Sequence, residues 1–164
     1  MAVLHPMRCD VGRGVRAAPL VVALLGVTLG ACEPEVPVEL RPDGVLRASL
    51  GLTDRDVVHI IQVRGRGVAE VAEPDLLAIG PGAWVSFQGG DTRGHVVRFD
   101  TMALDPPARD WLRQTDQVES PPLLTPASRW VVSFEGAPGG AYPFAVEGSG
   151  ELGFGRIELQ MENR

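Results

Sequence analysis

An all-β fold is what this chain predicts: a two-sheet sandwich of seven or eight short strands, with one short helix in an insertion. Three observations predict it. Apolar residues recur with period 2 or in short runs, not at helical spacing. Gly and Pro, 20 and 14 of the 164 residues, break those runs at close intervals, as turns between antiparallel strands require. With an N-terminal leader over residues 1–31 set aside, about 130 residues remain, enough for one domain around a single core.

The elements follow in order. Pro42-Asp43-Gly44 reads as a turn, followed by a weak strand over Val45 to Leu50. Val57 to Val63 is apolar on both faces apart from His59 and Gln62, the pattern of a central strand. Val68 to Val71 and Leu76 to Ile79 are short strands separated by a break at Pro74. Ala83 to Gln88 alternates, with Trp84 and Ser86 on one face and Val85 and Phe87 on the other. After the loop Gly89 to Gly94, His95 to Asp100 is the next strand. One helix interrupts the pattern: Asp105 can cap, Pro106 suits the first helical position, and Ala108, Trp111 and Leu112 share a face over Pro106 to Gln114. Ser120 to Pro126 reads as extended loop, since its prolines lack ladder donors. Arg129 to Phe134 and Ala141 to Val146 flank Ala137-Pro-Gly-Gly140 as an expected hairpin, and Gly155 to Met161 closes the fold with Ile157 and Leu159 inward.

The leader carries its own signal. Arg8, Arg13 and Arg16 precede the apolar run Pro19 to Leu29, and small residues lead into Cys32. Charged head, apolar middle and small residues at the cut make a secretory signal. The run is shorter than the roughly 20 residues a membrane span needs. Leu29-Gly30-Ala31-Cys32 resembles the lipobox of bacterial lipoproteins, which implies cleavage before Cys32 and lipid attachment to it. The expected organisation is a signal peptide over 1–31, a tether over 32–37 and a folded domain over 38–164. Glu33 after the cysteine implies delivery to the periplasmic face of an outer membrane. Export would remove Cys9 and acylation would consume Cys32, leaving the folded domain without a thiol. The net charge is −6; the leader's three Arg and Asp10 contribute +2, so the exported part carries −8. Such an acidic body argues against nucleic acid as a partner, because phosphate backbones are held by cationic surface.

From about Glu70 to Gln160 the order of features resembles the cupredoxins, the plastocyanin and azurin class of blue copper domains. A Pro-containing segment precedes Gly82 and Trp84-Val-Ser-Phe87; a loop then delivers Gly94-His95-Val-Val, and Tyr142-Pro-Phe144 with a Gly-rich loop into Gly155-Arg-Ile157 stands downstream. The resemblance implies a cupredoxin-like Greek-key β-sandwich with a metal site at one end. Type 1 copper needs a thiolate, two imidazoles and a weak axial sulfur. Carried over, the first His is His95, the Cys position is Val146, the second His position is Ser149, and the Met falls at Gly153 or Phe154. Three of four ligands are lost, and Val146 with Phe154 is expected to close the vacated site with apolar volume.

The remaining candidates are weighed individually. His95 is either a strand-start histidine bonded to backbone or the residue of a remodelled metal site, with Met102, Met161, Asp91 or Asp100 as conceivable helpers. His59 reads as an interior or interface histidine. Gly148-Ser-Gly-Glu-Leu-Gly153 has the letters of a dinucleotide loop, but a strand rather than a helix follows it. A hydrolase would have to recruit Ser149 or Ser133 without any nucleophile-elbow pattern. Trp84 and Trp130 read as core, whereas Trp111 is expected near the old metal end, as a lid or a binding surface. Asp100, Asp105, Asp110, Asp116 and Glu119 cluster around the same insertion and read as a solvated face.

The functional expectation is a membrane-anchored cell-envelope lipoprotein. Its copper-less domain would be a binding or interaction module for an envelope protein or small ligand, with no catalysis and no cofactor. The alternative is a metal-handling protein that binds copper through His95 and non-thiolate ligands.

Overall fold

The computed structural model describes residues 35–161; Cys9, the leader and the lipid-attachment residue Cys32 lie outside them. A short 3-10 turn over Val38–Leu40 leads into helix α1, Gly44–Leu50. The weak strand expected over Val45 to Leu50 is therefore a helix. Asp43 is the reason: its carboxylate accepts from the amides of Val45 and Leu46 at 3.0 and 2.9 Å, so the expected turn is an N-cap. Gly51, at φ 70°, ends the helix in the left-handed conformation that glycine tolerates best.

Eight strands follow: β1 Val58–Arg66, β2 Ala69–Glu73, β3 Leu76–Ile79, β4 Trp84–Gly89, β5 Val96–Phe99, β6 Arg129–Ser133, β7 Gly140–Glu147 and β8 Gly153–Leu159. Helix α2, Pro106–Gln114, lies between β5 and β6. They form two four-stranded sheets, ordered β2-β1-β4-β6 and β3-β8-β7-β5. Strands β1 and β4 run parallel, as do β3 and β8, while the other neighbours are antiparallel. The break expected at Pro74 is where the chain first passes from one sheet to the other, and every link from β3 to β7 crosses again.

The hairpin expected between β6 and β7 does not form. Strand β6 pairs with β4, setting Trp130 beside Phe87 and Val132 beside Val85, whereas β7 pairs with β5 and β8 in the opposite sheet. The Ala137-Pro-Gly-Gly140 link crosses the sandwich instead, with Phe134 and Ala137 buried on the way. Tyr142 fixes that crossing by donating its hydroxyl to the Pro138 carbonyl at 2.5 Å. The hairpin of this region is β7–β8.

The main core lies between the sheets. Ile61, Val63, Val85, Phe87, Val97, Val132, Tyr142, Val146 and Ile157 are completely buried. Each such side chain stabilises the fold by about 1.5–3 kcal/mol relative to exposure. Phe87 stacks on Trp130 at 5.4 Å and meets Phe144 edge-on at 5.1 Å. A smaller cluster covers the outer face of the first sheet, where Leu46 of α1 and Leu52 pack on Val58 against Trp84 and Val131.

Candidate functional site

Strand β4, the start of β5, the start of β2 and the β7–β8 turn all meet at one end of the sandwich, and His95 stands at their centre. Its backbone is anchored to Leu123 by two hydrogen bonds, 3.0 and 2.7 Å long. The ring is only 1 % exposed. Nε2 lies 2.7 Å from Oδ1 of Asp91, in the β4–β5 loop, and Nδ1 lies 3.0 Å from Oε2 of Glu70, on β2. His95 is thus flanked by two carboxylates, not bonded through its ring to backbone. The Nδ1 to Oε2 contact is close but poorly aligned, so neither atom completes a directed hydrogen bond.

Each carboxylate is held from behind. Asp91 accepts from the amides of Gly65 and Arg93, both at 2.8 Å. Those two N–H groups, Arg93 first, then the nearby His95, hold its pKa at about 2 against the opposing effect of burial. Glu70, itself 2 % exposed, accepts the Gly150 amide on Oε1 at 2.9 Å. The backbone of β2 also bonds to that turn, Glu70 N–H to the Glu151 carbonyl and Glu151 N–H to the Val68 carbonyl, each 2.8 Å. This close approach explains the glycines of Gly148-Ser-Gly-Glu-Leu-Gly153. A Cβ on Gly148 would stand 2.5 Å from Glu70 Oε1, and one on Gly150 would stand 2.5 Å from the Val68 carbonyl. The resemblance to a dinucleotide loop is thus a packing requirement.

The lost-ligand positions separate. Val146 is fully buried on β7, paired with Val97 and Gly153. Ser149 is exposed at the turn, and Gly153 is buried. Phe154 is 68 % exposed on the outer face, so it does not fill the site as expected. The inward alternation of β8 forces this, because Gly153, Ile157 and Leu159 face the core. The Glu70 carboxylate is what stands against the imidazole.

Trp111 is also placed differently from expectation. It tilts onto Phe134 at 5.6 Å and meets Tyr142 edge-on at 6.0 Å. Those residues belong to the end of β6 and the start of β7, the opposite end of the sandwich from His95, so Trp111 seals the far end and cannot lid the His95 end. Of the conceivable helpers, Met102 and Met161 are 86 % and 57 % exposed at that far end, and Asp100 follows the end of β5 there too. Only Asp91 meets His95. His59 is half-buried at the start of β1, and burial pushes its pKa below the ordinary histidine range. Ser133 lies at the far end as well, its backbone bonded by the Gln117 side chain in both directions.

Copper, which the resemblance brings into question, can be tested on this donor set. Both imidazole nitrogens already face carboxylates on opposite sides, so the three side chains do not converge on a common point. Among the described residues no sulfur stands at this end, and no group of three or more His, Cys, Asp or Glu is arranged to hold a metal. The residues present do not fit a type 1 copper ion.

Glu70 is the residue that sequence reasoning missed. The signal was available: once Ala72 is read as inward, period 2 along Ala69-Glu-Val-Ala-Glu73 turns Glu70 inward as well. Around the closed site the surface is apolar, with Val68, Leu124, Leu152 and Phe154 exposed. Phe154 stands between a groove of about 530 Å³, lined by Arg66, Glu73 and Leu152, and one of about 310 Å³, lined by Arg98, Pro143 and Phe144. No helix among the described residues is long and apolar enough to cross a membrane.

No protein-family model matches the chain, and no curated protein matches it. Solved structures similar to it are cupredoxins. They include the reduced Cu(I) form, at pH 4, of a mutant of amicyanin, at 14 % identity over 64 % of this chain and 84 % of that one, TM-score 0.45. A purple cupredoxin from Nitrosopumilus maritimus is 19 % identical over 62 % and 99 %, TM-score 0.40. Auracyanin A, a "blue" copper protein from Chloroflexus aurantiacus, is 17 % identical over 64 % and 99 %, TM-score 0.41. The eight-stranded, two-sheet sandwich itself is read from the chain's own strand order.

Proposed function

We propose that this chain is a membrane-anchored cell-envelope lipoprotein whose copper-less cupredoxin-like domain is a binding module, neither electron carrier nor enzyme. The observation that carries the reading is His95, buried with Glu70 on one ring nitrogen and Asp91 on the other. A ring so engaged offers no open position to a metal and no free base to a nucleophile. The binding surface belongs to the loops around it and the adjoining start of β8, where Val68, Leu124, Leu152 and Phe154 face outward. The partner is an envelope protein or small ligand on the periplasmic face of an outer membrane, with Cys32 as the lipid attachment point.

Titration of the full chain in detergent with Cu(I) and Cu(II) tests this. The reading expects no stoichiometric binding and no intense blue colour, since that absorption belongs to a Cu–thiolate bond. Stoichiometric binding that disappears in His95→Ala would overturn it in favour of a metal-handling protein.

A further inference from the structure

The disagreement between the fold's metal end and its donor set has a structural consequence. Three segments distant in sequence converge here: the start of β2, the β4–β5 loop and the β7–β8 turn. Each is tied to the next through a polar atom of Glu70, His95 or Asp91. The Gly150 amide donates to Glu70 Oε1, Glu70 Oε2 faces His95 Nδ1, His95 Nε2 faces Asp91 Oδ1, and Asp91 accepts from Gly65 and Arg93. We infer that Glu70 occupies the side of His95 Nδ1 that a metal would need, so that Glu70, His95 and Asp91 form a metal-independent tie holding the three segments together.

The chemistry of the row supports this. If the ring were neutral, with its one proton on Nε2 toward Asp91, the Nδ1 lone pair would face a carboxylate oxygen at 3.0 Å. Two buried acceptors at that distance, with no other partner for either, repel unless a proton lies between them. A proton shared between Nδ1 and Oε2 is what lets the two atoms stand this close. The other charged groups nearby are engaged elsewhere. Arg93 points its guanidinium toward the Gly67 carbonyl at 3.4 Å, and Arg64 and Arg66 pair with Glu73. Glu151 contributes only its backbone to β2.

The inference deepens the copper-less reading and rests on it only in taking the ring as metal-free. The test is long-range proton–nitrogen NMR on the full chain in detergent, with histidine labelled and His5→Gln and His59→Gln used to assign the His95 signals. The wild-type His95 signals are expected to be unmoved by a tenfold excess of Zn(II). Glu70→Gln supplies an N–H donor toward Nδ1 and an oxygen for Gly150. It should leave the fold and the amide exchange of Gly150 unchanged. Glu70→Ala should raise amide exchange at Gly150 at least tenfold. Zn(II) binding at Nδ1, or unchanged Gly150 exchange in a folded Glu70→Ala protein, would each overturn the tie. Unchanged Gly150 exchange with no copper binding would end this inference alone, whereas copper held by His95 would end the proposed function as well.

Discussion

Removing either member of the buried Glu70–His95 pair should be among the most damaging substitutions in the domain, and removing both should cost less than the sum. His95→Ala leaves the Glu70 carboxylate, 2 % exposed, without the ring beside it and with one hydrogen bond from Gly150. An uncompensated charge of this kind costs about 3–5 kcal/mol. Glu70→Ala removes the acceptor of the Gly150 amide, worth about 1 kcal/mol, as well as the partner of the ring. Together these place each single variant roughly 3–5 kcal/mol below wild type. For a domain of about 130 residues that corresponds to a melting temperature lower by roughly 10–20 °C. In the double variant the carboxylate and the imidazole leave together, so the burial penalty disappears and about 2 kcal/mol of coupling remains between the two sites. Urea unfolding of the full chain, followed by the fluorescence of Trp84, Trp111 and Trp130, measures all three. Single variants each costing under about 1 kcal/mol, or additive effects, would refute the reasoning.

The same site gives stability a defined acid limb. Asp91 has its folded pKa lowered from 3.8 to about 2 by the amides of Arg93 and Gly65 and by His95. A depressed carboxylate contributes stability that is complete above its unfolded pKa and is lost as pH falls through the folded one. The urea midpoint should therefore decline between about pH 4 and pH 2, and Asp91→Asn should flatten that decline; a steeper decline in the variant would contradict it. At the far end, Tyr142→Phe loses the bond to Pro138 and should cost about 1 kcal/mol in urea unfolding. Burial pushes the Tyr142 phenol up to about 12, so ultraviolet titration should show no phenolate from the chain's single tyrosine until near that pH. Asp43→Ala removes the cap of α1 and the partner of Arg129, and should cost about 1 kcal/mol without moving any His95 ring signal.

Much of the sandwich is legible in the sequence because period-2 burial is a local property. Val85 and Phe87 face inward from β4, Ile157 and Leu159 from β8, and Pro106 starts α2 where its fixed φ suits the first turn. The errors arise where a local signal has two solutions. Asp43-Gly44 can open a turn or cap a helix, and only the apolar bed of Val58, Trp84 and Val131 beneath Leu46 selects the helix. Ala137-Pro-Gly-Gly140 can close a hairpin or cross between sheets, and the pairing of Trp130 with Phe87, far apart in sequence, decides the matter across β6 and β4. The site follows the same rule. Asp91 stands four residues before His95 and is visible as a neighbour, whereas Glu70 reaches the ring from another strand through long-range topology.

The two ends of the sandwich are closed by different physics, and this difference bears on where a partner would dock. At the far end, Trp111, Phe134 and Tyr142 pack ring against ring, so the aromatic surface is consumed in the interior. At the His95 end the interior is filled by the row of Glu70, His95 and Asp91, and around it Val68, Leu124, Leu152 and Phe154 face solvent. Apolar packing of equal volume could stabilise the core as well as a buried ion pair does. What the row adds is direction: each carboxylate has two oxygens to hand to specific amides, Gly150 on one side and Gly65 with Arg93 on the other. Loops fixed at named amides lose less entropy when a partner orders them further, which is the condition a binding face must meet. The carboxylates that face the His95 ring are thus the same groups that hold the β4–β5 loop and the β7–β8 turn in position.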